Sequence, residues 1–215
     1  MSFLNQLKTQ ANALQSQGAL QAQNADANTV QAESACRIVQ HYLGELAKQL
    51  NVLNPPAGKF SLDGKTPWPA MKLVNFRTDA RKKTLRDKEV FDYISMGWQI
   101  VPQVGAAVGG TVSVNFPPDL ERVESRLAAG AVKHDRTEQR HPEKNTLQAI
   151  RFDYTTEARG YVTVKPDHDK GTLAFRVTNA GGFGVISSQW PAAKVQTEML
   201  DELAKLIVGQ PSRFG

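Results

Sequence analysis

The densest run of chemistry-bearing residues is Arg81-Lys82-Lys83-Thr84-Leu85-Arg86. Together with Lys72, Arg77 and Lys88 it sets seven cations against Asp79 and Asp87, which equals the formal excess of +5 carried by the whole chain. A localised excess matters more than a diffuse one, because a field acts on partners from where it sits. The run lies between two segments rich in β-formers, so residues 77–88 read as a basic hairpin with 81–86 as its loop. Such cations neutralise phosphates, and Phe76, Phe91 and Tyr93 nearby could stack on bases. An anionic membrane surface or an acidic protein would satisfy the same charges. The plainer reading, preferred from sequence, is a solubilising extension, since lysine-rich edges also keep strands from aggregating.

A second polar cluster, residues 133–145, holds His134, Asp135, Glu138, His141 and Glu143. On a helix His134 and Glu138 would share a face, yet two closely spaced histidines of a helical zinc site are missing. Pro142 and the polarity of the segment favour a mobile loop, with His134, Glu138 and His141 as secondary site candidates. Asp167-His168-Asp169-Lys170-Gly171 has the opening of a calcium loop without its closing glutamate, because position twelve is Thr178. A hairpin turn accounts for it better. The glycine runs at 105–110 and 181–184 lead into strands or turns, so neither offers a helix N-terminus to an anion. Cys36 falls on or beside the apolar stripe of a helix and reads as a small buried hydrophobe. Asp153 and Glu157 are close in sequence, but only their surroundings could make them an acid–base pair. No metal or cofactor is read from these residues.

The elements that would position these groups begin with a long helical stretch. Residues 2–53 are rich in Ala, Gln and Leu and contain no proline. Leu4, Leu7, Ala11 and Leu14, and then Ala32, Ala35, Val39, Tyr42, Leu46, Leu50 and Leu53, recur at helical steps. Gly18 and the polar stretch 24–28 suggest a break, hence a hairpin of two antiparallel helices. Pro55-Pro56 ends it. Period two then takes over at 71–76, 90–101, 111–116, 150–154, 162–164, 173–177 and 185–190. Clean alternation implies strands with one wet face, the antiparallel habit. Helices are expected at 119–129, with Leu120, Val123 and Leu127 in one stripe, and near the end with Val195, Met199, Leu203, Leu206 and Ile207. Thr197 is the favoured cap of the last helix, with Pro191 as the other start.

The expected fold is therefore α+β: an antiparallel sheet of about six or seven strands packed on amphipathic helices, with an N-terminal helical hairpin. Residues 1–54 form the helical segment and 59–215 the α+β domain, or the two make one integrated domain. The 215 residues, 40% hydrophobic and 22% charged, suffice for a core. One cysteine excludes an internal disulfide, and neither a signal peptide nor an apolar run of ~20 residues is read. A cytoplasmic location is expected. No motif names a reaction. The expected role is a non-catalytic binding or assembly protein, pairing with itself or with another protein. The alternatives are binding of nucleic acid or another polyanion through the basic hairpin, and an enzyme or small-ligand binder with a pocket between sheet and helix.

Overall fold

The computed structural model describes the backbone of residues 3–214 and the side chains of Lys8, Asn12 and residues 23–214. Among the described residues it is a mixed helix and sheet structure with three α-helices and eight strands. The strands form two antiparallel sheets, one of five and one of three.

The N-terminal stretch is one uninterrupted helix, α1 (Phe3–Leu53), and not the expected hairpin. The polar stretch at 24–28 holds no Pro or Gly, and Asn28 and Thr29 at its end find partners without a turn. Thr29 Oγ1 donates to the Ala25 carbonyl at 2.8 Å, and Asn28 Nδ2 donates to the Asp169 carbonyl at 2.6 Å. At ~1.5 Å per residue the helix is about 76 Å long. The stripe at Leu4, Leu7, Ala11 and Leu14 falls on side chains outside the described residues. Farther along, Ala32, Ala35, Cys36, Val39, Leu43, Ala47 and Leu50 are buried, while Leu53 is exposed and Leu46 only half-buried. The buried face is thus centred on Val39 and Leu43. Its alanines let the helix approach the sheet closely. Among the described residues, no helix is long and apolar enough to cross a membrane.

After Pro55 and Pro56 the chain enters β1 (Met71–Leu85), which turns back into β2 (Lys88–Pro102). Two residues, Arg86 and Asp87, make the turn, with φ of 48° and 60°. That left-handed pair matches the twist of the flanking strands, so the hairpin closes tightly. Then follow β3 (Gly109–Val114), α2 (Pro117–Ala129), β4 (His134–Arg140), β5 (Leu147–Thr155), β6 (Ala158–Asp167), β7 (Thr172–Thr178), β8 (Val185–Pro191) and α3 (Thr197–Ile207). The larger sheet runs β1-β2-β6-β7-β8 and the smaller β3-β5-β4. Strand β4 is the one that alternation does not reveal. All seven of its residues are exposed, so no apolar period marks it. Residues 134–140 are accordingly an edge strand, not a loop.

One face of the larger sheet carries Ile94, Met96, Trp98 and Ile100 of β2, Val162 and Val164 of β6, and Leu173, Phe175 and Val177 of β7, all buried. Helix α1 and the buried Leu200, Leu203 and Ile207 of α3 belong to the same core cluster. Gln196 occupies the cap position of α3 and Thr197 is its first helical residue, one step from the expected placement. Tyr42 of α1 donates to Asp201 of α3 at 2.6 Å. Half-burial, reinforced by that carboxylate, raises the Tyr42 pKa. Phe60, Trp68, Tyr154 and Phe183 form an aromatic cluster joining the segment before β1 to the smaller sheet, with Trp68 stacked on Tyr154 at 5.8 Å. The opposite face of the larger sheet has no layer over it among the described residues.

Candidate functional site

The seven sequence-predicted cations divide into two groups once the hairpin is folded. Residues 81–85 belong to β1, so the expected six-residue basic loop shrinks to Arg86-Asp87. Lys82 pairs with Glu89 at 2.8 Å and Lys83 with Asp92 at 3.2 Å. Arg86 pairs with Asp169 and also donates to Thr29 Oγ1 at 3.2 Å, while Lys88 lies 3.7 Å from Asp26. Beside them, His168 Nε2 sits 3.0 Å from Glu33 Oε1, which also accepts the Phe91 N–H at 2.8 Å. The hairpin tip, the start of the packed part of α1 and the β6–β7 turn therefore hold one another. Here four of the seven cations meet carboxylates of the chain itself.

Lys72, Arg77 and Arg81 point the other way. In β1 the inward residues Met71 and Leu73 are buried, which turns Lys72 and Val74 outward. A bulge at Asn75 and Phe76 resets the alternation, so that Arg77 and Arg81 continue on the outward face. The bulge is fixed from inside by Asn51 of α1, which accepts the Phe76 N–H at 2.7 Å and donates to its carbonyl at 2.9 Å. Asn75 itself adopts φ of 57°, a left-handed conformation that asparagine tolerates.

Strand register adds residues that are remote in sequence. In β6, Ala158, Gly160, Val162 and Val164 face the core, which leaves Arg159, Tyr161, Thr163 and Lys165 outward. In β7 the outward residues include Ala174 and Arg176. Across the sheet Arg77 aligns with Gly97 and Tyr161, and Asp79 with Ser95, Thr163, Arg176 and Ser187. The uncovered face thus carries Lys72, Arg77, Arg81, Arg159, Lys165 and Arg176, none of which has a carboxylate within 4.0 Å among the described residues. Asp79 stands among them, but its carboxylate accepts the Tyr93 hydroxyl at 2.6 Å. That hydrogen bond raises the Tyr93 pKa. Asp167, at the far end of β6, accepts the backbone N–H groups of Asp169 and Lys170 and lies 3.4 Å from the Lys170 ammonium. This is the turn expected at 167–171.

Two open depressions run along this face. One, of about 510 Å³, is lined by Tyr161, Thr163, Lys165, Arg176, Ser187 and Gln189 with their neighbours. The other, of about 330 Å³, is lined by Asn75, Arg77, Gly97, Gln99, Arg159 and Tyr161 among others. Tyr161 borders both. Five strands at ~4.8 Å spacing make the face about 19 Å wide.

The secondary candidates are dispersed. His134 Nδ1 is 2.8 Å from the Val132 carbonyl, and its ring packs 5.9 Å from Phe152. Glu138 is paired with Arg140 at 2.8 Å, and that guanidinium, with Arg136 behind it, holds the carboxyl below its usual range. His141 lies in the β4–β5 loop, where its Nδ1 meets the N–H groups of Glu143 and Lys144 at 3.2 and 3.3 Å. Among the described residues, no group of three or more His, Cys, Asp or Glu side chains is placed to hold a metal ion. Asp153 is taken by Arg151 and Thr111, whose hydrogen bonds lower its pKa. Cys36 is fully buried, and burial, with Glu33 adding to it, pushes its thiol up to about 12.

Residues 71–88 stand out as a charge run in the sequence, whereas Arg159, Tyr161, Lys165 and Arg176 do not. Their signal lies in the alternation of β6 and β7: the positions between the apolar ones are occupied by long cations and a tyrosine. No protein-family model, curated protein or solved structure matches this chain.

Proposed function

We propose that this protein binds single-stranded nucleic acid across the uncovered face of its five-stranded sheet, as a binding module and not as an enzyme. The observation that carries the reading is the segregation of charge. The cations at the hairpin tip meet carboxylates of the chain itself, while six on the open face do not. Long side chains left in water beside one another repel, so their clustering favours an anionic partner. Tyr93 and Tyr161, both half-exposed, add aromatic surface among them. Exposed rings favour a strand whose bases are free, because bases inside a duplex are already stacked. Sheet faces of similar width accommodate two or three stacked bases.

Binding of a labelled oligonucleotide of ~12 nucleotides, within the usual span of single-strand sites, tests the reading. Wild type should bind at low salt, and Arg159→Glu with Arg176→Glu should abolish binding while leaving the melting temperature within a few degrees. A charge-matched control, Lys48→Glu with Lys144→Glu, should bind as wild type does. Anionic vesicles serve as the competing partner. Vesicle binding without oligonucleotide binding, or equal loss in the control, overturns the proposal.

A further inference from the structure

Within that face one position is bare. Gly97 points outward from β2, aligned with Arg77 of β1 on one side and Tyr161 of β6 on the other. A Cβ built there would meet nothing nearer than the Gly160 carbonyl at 3.8 Å, and its φ is not left-handed. Neither folding space nor backbone conformation therefore requires a glycine at this position. What glycine does is leave a notch floored by backbone, the centre of the depression of about 330 Å³. Arg77 and Tyr161 stand two strand spacings apart, about 9.6 Å. A flat ring in van der Waals contact with a group on each side needs about 7 Å between them, at ~3.5 Å per contact.

The end of the notch carries a polar pair. Asn75 and Gln99 share one amide hydrogen bond at 2.7 Å, which leaves one carbonyl oxygen and one amino group free. An adjacent acceptor and donor match the hydrogen-bonding edge of a nucleobase. Arg159, aligned with Gln99 across the sheet, supplies a cation for the attached phosphate.

We propose that the Gly97 notch is a nucleobase slot, in which a base stacks between Tyr161 and the Arg77 guanidinium with its edge toward Asn75 and Gln99. This rests on the reading of the sheet face as a single-stranded nucleic-acid site, and it adds where a base is seated and what recognises it.

Gly97→Val tests the slot, since it fills the notch, removes no charge and places a strand-favouring residue in a strand. Affinity for the ~12-nucleotide oligonucleotide should fall roughly 5- to 150-fold, the equilibrium factor for one stacked base. Affinity for inorganic polyphosphate, which has charge and no bases, should be unchanged. Tyr161→Leu should show the same split, and it stands in should Gly97→Val fold poorly. If wild type binds the oligonucleotide and both variants bind it equally well, or if oligonucleotide and polyphosphate affinities fall together, the slot is refuted while the open face stands. If wild type binds polyphosphate but no oligonucleotide, the broader reading fails first.

Discussion

Two glycines that are neighbours across the β2–β6 ladder should respond to alanine with opposite signs. Gly160 lies opposite Trp98 and faces the core, and a Cβ there would fall 2.3 Å from the indole. Trp98 is 3% exposed and stacked on Phe76 at 5.9 Å, so it has nowhere to retreat. Overpacking of this kind costs about 1–3 kcal/mol. For 215 residues the unfolding entropy is about 0.45 kcal/mol/K, so the melting temperature should fall by about 2–7 °C. Gly97→Ala meets open space at 3.8 Å. It removes freedom from the unfolded chain at no native cost and should stabilise by about 0.4–1 kcal/mol, a rise of about 1–2 °C. Paired thermal melts of the two variants measure this directly. A fall for Gly97→Ala together with no fall for Gly160→Ala would mean that the inward and outward faces of the sheet have been assigned wrongly, and the nucleic-acid face with them.

Leu203→Asp should leave the chain unfolded or insoluble, because it puts an unpaired charge at a fully buried site, whereas Lys205→Asp should shift the melt by about 1 kcal/mol or less for its exposed pairing with Glu202. Asn51→Ala should cost about 1–3 kcal/mol by orphaning the Phe76 backbone at the β1 bulge, readable in urea titration. Asp63 is partly buried, which opposes its charge, but the N–H groups of Thr66 and Lys65 and the nearby hydroxyls hold its pKa down from 3.8 to about 2. The stability it adds is therefore complete above about pH 4 and lost as pH falls toward 2, and Asp63→Asn should flatten that acid limb in melts taken across the range. Cys36 should resist thiol reagents at pH 8 in the native protein and react promptly in denaturant.

The strands with a wet face and a dry face are legible in the sequence because alternation is a direct record of which side is buried. Seven of the eight strands, β1 only in its first half, and the stripes of α2 and α3 follow from it, whereas the division of the strands into two sheets, where one of about six or seven was expected, does not. Strand β4 is hidden because its residues are polar on both sides, and pairing with β5 alone makes it a strand. The continuity of α1 is hidden because the Asn28 amide is satisfied by the β6–β7 turn, a contact 141 residues away in sequence. The site is half legible for a related reason. Sequence shows where positive charge is dense, but not which cations the fold neutralises. Lys82, Lys83, Arg86 and Lys88 look equivalent to Lys72, Arg77 and Arg81 until register places carboxylates beside the first four. Arg159, Lys165 and Arg176 are scattered singly in sequence and meet the hairpin only across hydrogen-bonded strands.

On the proposed function the open face neutralises phosphates with a defined set of side chains, and the salt dependence of oligonucleotide binding counts them. If all six cations act, the slope of log affinity against log salt should be about −4, so that affinity falls about 300-fold between roughly 50 and 200 mM. Arg159→Gln with Arg176→Gln should reduce the slope to about −3, since each lost phosphate contact removes about 0.7. A wild-type protein with no affinity at low salt, or a double variant whose slope is unchanged, would contradict the account.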